Sequence, residues 1–176
     1  AGTPEEPLQD ITESFTATIE ADEYLDNWVL APGAPVVLDR APPVATVADI
    51  KHRVEHLDIA MTETRAEATT IVSLVRDRDL VRTIRAIYGA DRARSIQKSL
   101  EPQCLSSFKR DDSFRIVSAD VILVADAGDF IFYDCAYEEL LQALGPINDD
   151  STVRLSMFND KVQMGFFDIY DQYILN

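Results

Sequence analysis

The feature that most limits the fold is an apolar segment at residues 114–125. It contains Ile116-Val117 and the unbroken run Val121-Ile122-Leu123-Val124. Continuous apolar and β-branched residues, rather than alternating ones, predict a strand that is buried on both faces. The next four residues, Asp126 to Asp129, are typical of a turn, and an apolar periodic segment follows them. The sequence therefore predicts a mixed α and β fold in which this strand lies in the interior and leads into a helix.

The remaining segments predict a single domain at residues 13–176, preceded by a disordered acidic leader at residues 1–12. Helical spacing of apolar residues predicts helices at 46–55, 77–88, 91–100 and 166–175, with Gly89 ending the second of them. Short apolar or β-branched runs predict strands at 16–19, 28–38, 57–61 and 69–75.

Composition narrows the range of functions. The 176 residues are 47% hydrophobic, which is enough for one domain with a substantial core. No apolar run approaches the roughly 18 residues that span a bilayer, so membrane insertion is not expected. The formal net charge of −15 would repel nucleic acid and anionic lipid, and we expect neither as a partner.

Cys104 and Cys135 are the two cysteines of the chain. The chain begins Ala1-Gly2 without a methionine, which is typical either of a mature end left by signal-peptide removal or of a boundary chosen for expression. An even pair of cysteines in an exported chain favours a disulfide, whereas the alternative is two buried free thiols. We therefore expect a Cys104–Cys135 bond and a periplasmic or secreted location.

The predicted helix at about 133–144 has the layout of a zinc-protease helix in which the histidines are replaced. A zincin helix carries His-Glu-x-x-His, because side chains four residues apart lie on one helical face and hold the metal together. Here Glu138 and Gln142 occupy the two ligand positions, and Glu139 occupies the position of the general base.

The loop after this helix supplies the candidates for a third ligand. Gly145 permits the chain to reverse, and Asn148 and Asp149 follow at the third-ligand position. Oxygen donors of this kind do not suit zinc and favour Ca²⁺ or Mg²⁺, although Ca²⁺ needs about six to eight ligands. We predict no cofactor, with calcium as the metal that this ligand set suits best.

The run from Cys135 to Gly145, then Asn148-Asp149, then Ser156-Met157-Phe158-Asn159-Asp160, resembles an uncharacterised family of exported bacterial domains. Members of that family are similar to metzincin peptidases and carry Glu-Glu-x-x-Gln in place of the histidine motif. The resemblance implies an α+β, zincin-like fold with a twisted mixed sheet beside the motif helix. It implies that Met157 lies beneath the site, as in a methionine turn, and it implies no established activity.

The two histidines of the chain form a rival zinc motif. His52 and His56 flank Glu55 in the pattern His-x-x-Glu-His, which is the inverted zincin motif. The alternative is a short helix on which two histidines occur incidentally.

These observations favour an exported zincin-like domain that has lost catalysis and acts by binding a protein or peptide, or as a structural component. The alternative is an active metal-dependent peptidase that uses Glu139 as its general base. A third hypothesis is a binding domain that Ca²⁺ stabilises.

Overall fold

The structure is a computed structural model, and it describes residues 15–21, 42–62, 64–99, 104–146, 148–159 and 161–176. This part of the chain contains helices α1 (Pro42–Arg53), α2 (Asp77–Ser99), α3 (Asp129–Gln142) and α4 (Ile169–Leu175). Its strands are β1 (Phe15–Ala21), β2 (Ile59–Met61), β3 (Thr70–Val75), β4 (Cys104–Arg110) and β5 (Ile116–Val124). The predicted leader at 1–12 and the predicted strand at 28–38 lie outside the described residues.

The five strands form one mixed sheet in the order β2-β1-β3-β5-β4. Strands β2, β1, β3 and β5 are parallel to one another, and Val72 of β3 lies opposite Val121 of β5. Strand β4 is antiparallel to β5 and forms the edge, with Ser106 opposite Val121. The fold is therefore α+β, with an antiparallel edge strand on a parallel sheet.

Strand β5 is buried on both faces, as its continuous apolar sequence predicts. Val121 and Leu123 belong to the core that α1 and α3 cover. Ile122 and Val124 belong to a second core, which α2 covers on the other side of the sheet. The alternating direction of side chains along a strand explains why consecutive apolar residues serve two different cores.

Helix α1 packs on the sheet through the apolar spacing that predicts it. Val47 and Ile50 are buried, as is Val54 just after the helix ends. A polar contact adds to this packing, because the Tyr137 hydroxyl of α3 donates to Asp49 Oδ2 at 2.9 Å. Burial, together with the hydrogen bond from this hydroxyl to the Asp49 carboxylate, raises the pKa of Tyr137 to about 12.

Helix α2 contains a break at Gly89, where the sequence predicts the end of one helix and the start of another. Gly89 has a φ of 83°, which L side chains rarely adopt. The two predicted helices are therefore present as two halves of α2.

Several predicted boundaries are wrong. Helix α3 begins at Asp129 and ends at Gln142, whereas the predicted motif helix runs from about 133 to 144. Helix α4 begins at Ile169 rather than at Phe166, and strand β4 was not predicted. Within the described ranges, no helix is both long and apolar enough to cross a membrane.

Candidate functional site

Helix α3 brings the motif residues to the edge of the sheet. The chain leaves β5, turns at Gly128 with a φ of 98°, and enters the helix at Asp129. Leu140 and Leu141 face the core, while the polar side chains of Glu139 and Gln142 are also buried. Burial of two polar side chains on one turn is unusual, so their hydrogen-bond partners determine what the site can do.

The amide of Gln142 lies between two carboxylates. Gln142 Nε2 donates to Asp149 Oδ1 at 2.9 Å and approaches Glu138 Oε1 at 3.5 Å. Of the four residues that sequence analysis places at ligand positions, Gln142 therefore contacts two, Glu138 and Asp149. Asn148 is exposed, and its neighbour Asp149 makes the contact with the helix.

Glu139 is held by the edge strand. Its carboxylate accepts hydrogen bonds from the backbone N–H and the hydroxyl of Ser106 on β4. The Ser106 Oγ also lies 3.3 Å from Gln142 Oε1, and its single proton serves one acceptor at a time. The second carboxylate oxygen, Glu139 Oε2, is buried and has no hydrogen-bond partner in the structure.

The environment of Glu139 favours its neutral form. Burial raises the pKa of this carboxyl to about 7, and the negative charge of Asp149 acts in the same direction. The hydrogen bonds from Ser106 oppose the rise without cancelling it. A group with this pKa exchanges protons near neutral pH, which is the property that a general acid or base needs.

A disulfide between Cys104 and Cys135 joins β4 to α3, as predicted. The two Cα atoms lie 5.7 Å apart, and 31 residues separate the cysteines in sequence. Cys135 lies one helical turn before Glu139, so the bond fixes the edge strand next to the carboxylate cluster.

The turn at Ser156–Phe158 is held by a residue that sequence analysis does not identify. Asp171 of α4 is completely buried and accepts from Ser156 Oγ at 2.6 Å and from the Met157 N–H at 3.2 Å. Met157 is buried in the same core cluster as Ala136 of α3 and Ala143, which directly follows the helix. Burial raises the pKa of the Asp171 carboxyl. The available sequence signal for this role was Asp171 itself, a charged residue in a mostly apolar terminal helix.

The histidine pair lies away from any regular helical face. Helix α1 ends at Arg53, and His56 has a φ of 61°. Both histidines are exposed. The spacing of four residues therefore does not place them on one turn of helix, which is the geometry on which the inverted zincin motif depends.

The residues present do not fit zinc. Gln142 presents its nitrogen to Asp149 and its oxygen to Ser106, and an amide N–H group cannot coordinate a cation. Calcium would need more oxygen ligands than Glu138 and Asp149 supply. In the part of the chain that the structure describes, no group of three or more His, Cys, Asp or Glu side chains is placed to hold a metal ion.

Fold and site together define an α+β domain with a partly buried carboxylate–amide cluster at its motif helix, next to its edge strand. The chain belongs to the family described as "Protein of unknown function (DUF2927)", whose sequence model matches residues 37–176. Comparison with curated proteins gave no significant match. Comparison with solved structures also gave none.

Proposed function

We propose that this protein is a zincin-like domain without peptidase activity that acts by binding a protein or peptide segment in the periplasm or outside the cell. The observation that carries the proposal is the Gln142 amide, which donates to Asp149 and approaches Glu138 where a peptidase would hold a metal. The side chains of Glu138, Gln142 and Asp149 contact one another, so this part of the cluster can serve a structural role that needs no ion.

The sheet supports the zincin-like assignment. The motif helix follows β5 directly and lies beside a mixed sheet, which is the arrangement that the resemblance implies. The disulfide is compatible with an oxidising compartment and supports the proposed export.

The edge strand supports a binding role. Strand β4 pairs with β5 on one side and with no other described strand. The outer N–H and C=O groups of an edge strand are a template to which an extended segment can add. Glu139 already accepts the Ser106 N–H, so a segment would pair along β4 toward Arg110.

The alternative function is a hydrolase in which Glu139 is the general base. The pKa of about 7 for Glu139 favours this alternative, because a base of that pKa works at neutral pH. Its free oxygen is buried, however, and a water nucleophile would have to enter that buried space to reach it.

Two measurements test the proposal. We expect purified protein to lack stoichiometric zinc and to cleave no member of a broad peptide library. Cleavage that is sensitive to a chelator and is abolished by Glu139→Gln would overturn the proposal that the protein has no peptidase activity. Bound zinc that is lost on His52→Ala would instead support a zinc site at the histidine pair.

A designed variant tests the zincin-like geometry separately. Glu138→His combined with Gln142→His places two imidazoles four residues apart on α3, with Asp149 as the third ligand. We expect this variant to bind one zinc ion and to lose it on Asp149→Ala. Each single histidine variant is the matched control, and failure of the double variant to bind zinc would contradict the zincin-like geometry.

A further inference from the structure

Helix α4 is oriented with its apolar side outward. Ile169 and Tyr173 are 82% and 84% exposed, whereas Asp171, between them in sequence, is completely buried. Tyr170 and Ile174 lie on the same outward side and are also exposed. A surface helix ordinarily has the opposite arrangement, with its apolar stripe toward the core.

The segment that precedes α4 lies against α3. The backbone at Gly165 lies against the Phe130 ring, since a Cβ at this glycine would be 3.3 Å from Phe130 Cδ2. Asp134 of α3 accepts a hydrogen bond from the Met164 N–H, which holds the same segment along the helix. We define the outer face as the exposed set Phe130, Phe166, Ile169, Tyr170, Tyr173 and Ile174.

The outer face is held in place from beneath. Asp171 anchors α4 to Ser156 and Met157, and Asp168 caps the start of the helix by accepting from the Tyr170 and Asp171 N–H groups. At the other end, Asn176 Nδ2 donates to Arg53 O at 3.1 Å. A preorganised apolar surface loses little conformational entropy when it binds, and tyrosines are enriched at such interfaces.

The charges around the outer face identify the kind of partner. Of the six carboxylates in residues 129–142 and 162–176, three are buried, and the three that are at least partly exposed are Asp129, Glu138 and Asp168. Neither segment contains a lysine or an arginine, and the charge of the neighbouring Arg53, which donates to Phe167 O, is paired with Asp49 at 2.7 Å. With a net charge of −15, a second copy of the chain would be repelled, as would an anionic lipid surface. The complementary partner combines apolar side chains with lysine or arginine.

We propose that the outer face is a docking surface for an amphipathic helix of a partner protein, with basic residues flanking its apolar side. The apolar side of an amphipathic helix can pack against the apolar side of α4. Carboxylates beside the outer face favour a partner helix that carries basic residues. The proposal is independent of the proposed function at the motif helix.

The test uses the full chain and two synthetic helices of about 18 residues, long enough to be helical when bound. One peptide has leucine and lysine at amphipathic spacing, and the other has glutamate in place of every lysine. Binding is measured by titration calorimetry and mapped by NMR chemical shifts. We expect the leucine–lysine peptide to bind, with shifts centred on α4, and to bind about tenfold more weakly to Ile169→Ser/Tyr173→Ser.

The matched control is Val117→Ser/Leu155→Ser, which removes exposed apolar side chains outside the outer face and should leave the affinity unchanged. Both residues changed in the test variant are highly exposed, so we expect its thermal unfolding to match that of the parent chain. Equal weakening by both variants, or equal binding of the glutamate peptide, would overturn the proposal. Detection of a dimer by analytical ultracentrifugation that is lost in Ile169→Ser/Tyr173→Ser would also overturn the proposal, because a second copy of the chain would then occupy the outer face.

Discussion

Replacing Glu139 by glutamine should change how the stability of the protein depends on pH. The substitution keeps the size of the side chain and an oxygen that can accept from Ser106, but it removes the carboxyl that titrates. In the native protein this carboxyl has a pKa of about 7, compared with an ordinary value of 4.5. The folded chain therefore binds the proton more tightly than the unfolded chain does.

The sign and size of the effect follow from this difference in pKa. The raised pKa of Glu139 adds to the free energy of unfolding. This contribution is fully present below about pH 4.5 and is lost as the pH rises through about 7. Each pKa unit corresponds to about 1.4 kcal/mol, so the full loss amounts to about 3 kcal/mol. Glu139→Gln lacks this loss, and its free energy of unfolding should gain about 3 kcal/mol relative to the parent between about pH 4.5 and about pH 8.

Urea unfolding of both chains across this pH range measures the effect. Glu55→Gln is the matched control, because it makes the same chemical change at an exposed glutamate outside the carboxylate cluster. Ser106→Ala removes one hydrogen bond to the Glu139 carboxylate and should move the transition to higher pH. A difference between Glu139→Gln and the parent that does not vary with pH would refute the reasoning, because it would mean that Glu139 is not a desolvated carboxyl.

Three further predictions concern stability and are checked by urea or thermal unfolding. Cys104→Ser/Cys135→Ser opens a loop of 31 residues and should lower the free energy of unfolding by about 3–4 kcal/mol, with no difference between the reduced parent and the variant. Asp171→Ala leaves the Ser156 hydroxyl and the Met157 N–H without their buried acceptor and should cost about 2–4 kcal/mol, whereas Asp168→Ala, at the more accessible cap, should cost about 1 kcal/mol. Gly89→Ala meets no neighbouring atom but places a Cβ at a φ of 83°, so it should cost about 1–2 kcal/mol, and Gly89→Asn should cost less. An unchanged stability in Gly89→Ala would contradict the helix break.

The sequence predicts those parts of the fold in which the composition of one segment is enough to decide its conformation or its burial. The unbroken apolar run of β5 can only be buried on both faces, and Gly89 marks a helix break because of its own backbone freedom. Strand β4 was missed because Cys104–Arg110 reads CLSSFKR, which has neither clear alternation nor strong β-branched content. Its strand conformation comes from pairing with β5 and from the disulfide, and both are tertiary contacts.

In the candidate site too, local sequence spacing predicts some contacts, whereas others depend on tertiary structure. Helical spacing predicts that Glu138 and Gln142 share a face, and the structure places Asp149 against the same amide. No local pattern indicates that Ser106 would lie against Glu139, since that contact depends on which side of the edge strand faces α3. Ser106 and Asp171 both act through contacts between distant segments, so they are visible only once the chain is folded.

The Cys104–Cys135 bond has a mechanical consequence for the site. The disulfide links the first residue of β4 to the middle of α3. These two elements therefore cannot separate at the end of β4 that carries Cys104. Any opening of the space beside Glu139 must come from the opposite end, where α3 stops at Gln142 and the chain reverses at Gly145. A separation of α3 from β4 at that end would move Gln142, together with the Asp149 that it contacts, away from Ser106.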